Sequence, residues 1–193
     1  MRSTIKRLLV VVGIVLTAGC ALIRDQQADQ DNSILSLVLR HSYNDGGFTV
    51  VKAETKLSDY LSREKTKKYL LQKIRIEGYN IEPLVDLLFQ RNERSARLSL
   101  KSSPEEGFIV DYEGKYNKYF AQGRGGWDKW YEENPKAHGS TEVSLPAYDP
   151  STRIVLVYIG TQSHWVAGAG YVKAFRYEKD RLEPLGMAML WVS

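Results

Sequence analysis

The 193-residue chain has a single cysteine, Cys20, and three scattered histidines, His41, His138 and His164. One thiol excludes an internal disulfide and a thiolate metal cluster, and the isolated histidines lack metal-ligand spacing, so no metal is expected. No Gly-x-Ser-x-Gly stretch is present to expose a nucleophilic serine. Gly123-Arg124-Gly125-Gly126 lacks the Lys and Ser/Thr of a phosphate loop. Gly168-Ala169-Gly170 lies inside a strand pattern, with no helix behind it to receive a phosphate. No cofactor is expected from either stretch.

A surplus of charge is also lacking once the chain is divided. Residues 1–19 hold three of the 27 basic side chains and no acidic one, which leaves 24 against 23 acidic residues from Cys20 onward. Such a balance argues against a nucleic-acid partner.

What is present first is a leader. Arg2, Lys6 and Arg7 precede an apolar run, Leu8 to Ala18, broken only by Gly13 and Thr17. That run has the length of a signal-peptide core and falls short of the ~20 residues that span a bilayer. It ends Leu16-Thr17-Ala18-Gly19-Cys20, which resembles the lipobox of bacterial lipoproteins, with Thr17 where Leu is commonest. The resemblance implies cleavage before Cys20, lipidation of its thiol and attachment to a membrane through that lipid. One acyl chain binds reversibly and two or more hold stably, at ~0.8 kcal/mol per buried methylene. Ala21, rather than Asp, after the cysteine points to the periplasmic face of the outer membrane in a Gram-negative envelope. Two other readings are an ordinary secretory signal cleaved elsewhere and an uncleaved anchor.

The segment from Ala21 to Asn32 is polar and reads as a flexible tether. A first helix is expected from a cap at Asn32 or Ser33, with Ile34, Leu35, Leu37, Val38 and His41 on its apolar stripe and Asn44-Asp45-Gly46-Gly47 as its stop. Phe48–Val51 reads as a strand. Ser58–Leu71 reads as a charged helix whose basic run, Arg63 to Lys68, is a solvated face. Ile81–Asn92 reads as an amphipathic helix with Pro83 in its first turn.

From Ser95 onward strands dominate. Arg97–Lys101 alternates, Ser102–Gly107 turns, and Phe108–Tyr112 continues as strand. A loop around Gly123–Gly126 leads to a short helix ended by Pro135. On it Trp127, Trp130 and Tyr131 share a face that either plugs the end of a sheet or offers an aromatic surface. Thr141–Leu145 is a strand, Pro146–Pro150 a turn, and Arg153–Gly160 a near-continuous apolar strand suited to the centre of a sheet. A loop over Thr161–His164 precedes Trp165–Tyr177, a strand in which Gly168-Ala169-Gly170 permits close approach or a bulge. Tyr177–Arg181 turns, and Leu182–Val192 returns as the last strand. Together these patterns predict one α+β domain over residues 33–193, with N-terminal helices packed on a largely antiparallel sheet formed mainly by the C-terminal half.

Gly126-Trp127…Pro135, Leu156-Val157-Tyr158-Ile159-Gly160 and Gly168-Ala169-Gly170-Tyr171 resemble a group of small uncharacterised bacterial envelope proteins, over roughly residues 125–185. Several of those have cysteines where this chain has Ser163 and Ala167, which implies that packing holds this loop instead. The resemblance carries no activity.

Three functions remain in view. The first is a non-enzymatic binding or accessory domain on an envelope lipoprotein, with Trp127, Trp130, Tyr131, His164 and Trp165 as a candidate surface for an envelope protein or small ligand. The second is a hydrolase of an envelope polymer or lipid using His164. Ser163 and His164 point opposite ways on an extended chain, so they are not expected to form a nucleophile–base pair. The third is a structural or protective envelope factor. An exposed aromatic patch favours the first, and a cleft joining His164 to Ser, Asp or Glu favours the second.

Overall fold

Strand β5 (Ile154–His164) is the axis of the molecule, seen in a computed structural model that describes residues 26–43, 46–57 and 62–193. Every residue from Ile154 to Gly160 is buried. Four of them are β-branched, which suits a pleated strand covered on both faces.

Around it a seven-stranded sheet runs in the order β2 (Phe108–Asp111), β1 (Phe48–Lys52), β3 (Ala137–Val143), β5, β6 (Ala167–Glu178), β7 (Arg181–Val192). A short β4 (Ala147–Asp149) pairs with the start of β5, off that path. The expected central strand is therefore central. The architecture is α+β, with the strands mostly in the C-terminal half. The sheet is mixed: four of its six strand pairings are antiparallel, and β1 pairs in parallel with both β2 and β3. Helical crossovers are the reason, since they bring the chain back to the same end before each of these strands.

One face of the sheet is covered by α1, residues 26–42. Its Ile34, Leu35, Val38 and Leu39 pack on Val143, Val155, Val157, Ile159 and Phe175. The other face takes α2 (Arg63–Lys73) and α3 (Glu82–Arg91), whose Leu70, Ile74, Leu84, Val85 and Leu88 meet Leu156, Tyr158, Val172 and Ala174. Asn80 accepts the Glu82 N–H at the start of α3 (3.0 Å). Asn92 closes its end, bonding to Leu88 and to both backbone groups of Leu145. The basic run on α2 is a largely solvated face, with Lys67 held between Glu82 and Asp86.

Several local expectations change. The tether was expected over 20–32; residues 20–25 lie outside the described residues, and 26–32 are the first turns of α1. Polar residues there gain a tertiary role, because Asp31 makes a two-pronged ion pair with Arg91 of α3 (2.9 and 2.5 Å). Both side chains are mostly buried, and Arg91 also donates to the Pro146 carbonyl. Leaving one charge of such a pair alone costs about 3–5 kcal/mol. The stop at Asn44-Asp45 lies outside the described residues.

Arg97–Lys101 alternates as expected but forms only an isolated bridge to Glu54; Leu98 and Leu100 are buried without a ladder. The supposed turn at 146–150 contains β4, and the supposed loop at 161–164 is the far end of β5. Lys179 and Asp180, both at positive φ, make the β6–β7 turn where it was expected. At the glycine notch, a Cβ on Gly170 would fall inside the Trp191 indole, whose N–H donates to the Tyr158 hydroxyl (2.8 Å).

The end of the sheet is plugged by α4 (Asn117–Phe120) and α5 (Gly123–Glu133). Gly123–Gly126, expected as a loop, opens α5, because the chain must turn tightly out of α4 with almost no side-chain bulk. A Cβ on Gly126 would collide with the Tyr119 carbonyl, whereas Gly125 has open space around it. Gly125→Ala should therefore stabilise the domain by about 0.5–1 kcal/mol. Gly126→Ala should destabilise it by about 1–3 kcal/mol through overpacking. Urea unfolding of the two variants beside the parent measures both, and equal effects would contradict this placement.

Candidate functional site

The helical cover of the first sheet face stops at Ser42. Tyr43 then drops onto the sheet, its hydroxyl bonded to Thr141 (2.8 Å) and Thr161. Thr141 bonds Thr49 (2.7 Å), which donates to the Gly139 carbonyl (3.1 Å). Burial pushes the Tyr43 phenol above its usual value, so it remains a neutral hydrogen-bonding group. This chain of hydroxyls ties the end of α1 across β1, β3 and β5.

Beside the Tyr43 plug is an open cavity of about 430 Å³ between β3, β5 and β6. His138 stacks on Tyr43 at one side (5.3 Å between ring centres). Ser42, Thr161, Ser163 and Tyr171 add hydroxyls, and Lys173 supplies a charge. Among the described residues no carboxylate lines the cavity. Lys173 Nζ donates to Ser42 Oγ (3.1 Å), and among the described residues no carboxylate pairs with it. Burial lowers its pKa from the ordinary lysine value. The carboxyl end of α1 offers roughly half a negative charge. The remainder is left for an anion to match.

A second cavity, about 450 Å³, lies near the carboxyl ends of the parallel strands β1 and β2, the usual place for a ligand in such sheets. Two of the cations that line it are paired with carboxylates: Lys52 with Glu142 (3.3 Å) and Arg97 with Glu54 (3.4 Å).

The residues expected to form an aromatic surface divide. Trp127 and Trp130 are 2% and 0% exposed, which corrects their assignment to a surface. Their rings plug the sheet end against Tyr119, Val50 and Ala137, because helical spacing turns the larger rings toward the uncovered sheet edge. Among the described residues the Trp130 indole nitrogen is a buried group without a hydrogen-bond partner, surrounded by Phe48, Tyr116, Tyr119 and Phe120 rings. Tyr131 is half-buried and donates to the Ser163 carbonyl. His164 lies against Trp127 and near Asp128 (3.5 Å). Trp165 stays exposed in the β5–β6 turn. Cys20 lies outside the described residues.

His164 does meet an acid, but no serine joins them: Ser163 Oγ donates instead to the Ala167 carbonyl (3.2 Å), closing the turn. Ser42 beside Lys173 has the composition of a serine–lysine hydrolase pair. Lys173 Nζ, however, donates its hydrogen bond to Ser42 Oγ, the direction of an ammonium and not of a base that takes the serine proton. The geometry suits binding an anion better than acyl transfer.

Among the described residues no helix is long and apolar enough to cross a membrane, and no three His, Cys, Asp or Glu stand together as a metal site. No family model, curated protein or solved structure matches the chain. Sequence reasoning missed Ser42, Tyr43, His138 and Lys173. The available signal was Lys173 itself, a cation set between Tyr171-Val172 and Ala174-Phe175 on a strand beside one buried on both faces.

Tyr43→Phe should cost about 1–2 kcal/mol, because it removes a hydroxyl on which two threonines depend. Denaturant midpoints with unchanged m-values would bear this out, and an unchanged midpoint would contradict the role given to the hydroxyl chain.

Proposed function

We propose that the chain is a lipid-anchored envelope protein whose domain binds, without transforming it, an anionic ligand or an acidic group of another envelope component. The observation that carries the binding reading is the cavity around the half-buried Lys173, which donates to Ser42 and meets no carboxylate among the described residues. Partial burial of an ammonium without a carboxylate beside it disfavours its charged form, and a lysine in that position is stabilised by an anion from outside. The anchor rests on the leader and on Cys20. With α1 already formed at residue 26, at most ~20 Å of chain separates the lipidated cysteine from the domain. The domain is then held close to the membrane surface, on its periplasmic side in a Gram-negative envelope. The cavity lies at the other end of α1, ~25 Å along its axis.

Each half has its own measurement. Intact mass of the membrane-fraction protein should show loss of residues 1–19 and added acyl mass, both abolished by Cys20→Ser; an unmodified Cys20 thiol would overturn the anchor. For the cavity, inorganic phosphate at 10-fold over its Kd should raise stability by about 1.4 kcal/mol through mass action. Lys173→Met should lose that increment while keeping the fold, with an equal or higher melting temperature in phosphate-free buffer. Equal phosphate responses in both proteins would mark a general salt effect and overturn the site.

A further inference from the structure

Beyond Lys173 the same sheet face continues onto β7 and is bare. Met187 stands directly opposite Lys173 in the β6–β7 ladder, Met189 opposite Tyr171, and Val192 opposite Ala169. These three side chains are 61%, 44% and 67% exposed, whereas Val157, Ile159 and Phe175 on the same face under α1 are almost completely buried. Cross-strand neighbours of this kind have Cβ atoms about 5 Å apart. An apolar row ~15 Å long therefore begins at the ammonium and runs along the outermost strand. From Leu185 to Val192 the strand carries no charged residue. A contiguous exposed row of this kind on an unpaired edge is a hazard that soluble domains blunt with charge unless something occupies it.

Resting on the anion-binding reading above, we propose that this shelf binds a single-tailed anionic amphiphile. Its headgroup sits on Lys173 and its hydrocarbon chain lies along Met187, Met189 and Val192. Charge decides the occupant. A second copy of the chain docked through this face would bury two ammonium groups, and neither copy's shelf offers a carboxylate to meet them. A neutral apolar partner would leave Lys173 unmatched in the same way. An amphiphile satisfies the cation and covers the row with one molecule. Methionine suits such a tail, since its unbranched, polarisable chain adapts to mobile hydrocarbon.

The test is calorimetric titration of the full chain carrying Cys20→Ser with dodecyl phosphate below its micellar concentration, beside inorganic phosphate and a neutral dodecyl glycoside. Dodecyl phosphate should bind on the order of 100-fold more tightly than inorganic phosphate, the increment expected from burying part of the tail. Lys173→Met should weaken it about tenfold or more. Met187→Gln with Met189→Gln, both exposed positions, should remove the advantage of the tail and leave phosphate affinity unchanged. Equal affinity for the amphiphile and inorganic phosphate would overturn this proposal and leave the anion cavity standing. No binding of either would overturn both. Tail-dependent binding indifferent to the methionine pair would place the chain elsewhere and overturn the shelf. So would a dimer in sedimentation that Met187→Gln with Met189→Gln dissolves, which would assign the surface to a second copy.

Discussion

Burial of β5 on both faces is the constraint on which the rest depends. A strand with Ile154 to Gly160 buried throughout cannot be covered by one layer of helices, so the chain supplies α1 on one side and the α2–α3 pair on the other. The Asp31–Arg91 pair links α1 to α3, so the two layers are fastened to each other as well as to the sheet. The candidate site is a consequence of unequal cover. α1 ends at Ser42 while the sheet runs on through β6 and β7, and Lys173, Tyr171 and the two methionines occupy the uncovered ground.

The same unequal cover explains why the site has mixed chemistry. Under α1 the face is apolar and buried. At its edge Tyr43 converts a slot between strands into a chain of satisfied hydroxyls, and the ammonium of Lys173 is set at the end of the helix, where the backbone dipole favours a cation. Binding capacity and stability pull against each other at this lysine. Desolvation disfavours its charged form, so in the empty protein its contribution to stability improves as pH rises through its lowered pKa toward the ordinary lysine value. A bound anion reverses that preference.

Legibility in the sequence followed how local each cause was. The double burial of β5 shows in its uninterrupted apolar run from Ile154 to Ile159, the β6–β7 turn in Glu178–Arg181, and α3 in its spacing and Pro83. Each is decided within a dozen residues. The glycine notch was legible as a close approach, though not that Trp191 fills it. The early start of α1 was hidden because Asp31 is a tether residue by composition and a core residue only by virtue of Arg91, sixty positions away. The parallel arrangement of β1, β2 and β3 leaves no local trace. The aromatic stripe of α5 was visible, but which way it faces depends on the sheet end it plugs. Ser42 and Lys173 are 131 residues apart, and no pattern in either neighbourhood announces the contact.

The measurement that bears most directly on this account is a map of backbone amide chemical shifts of the full chain carrying Cys20→Ser, with and without dodecyl phosphate. The account predicts changes confined to the end of α1, His138, residues 161–173 and residues 187–192. Changes centred instead on residues 52–56 and 95–112, around the cavity at the carboxyl ends of β1 and β2, or spread evenly over the domain, would contradict it.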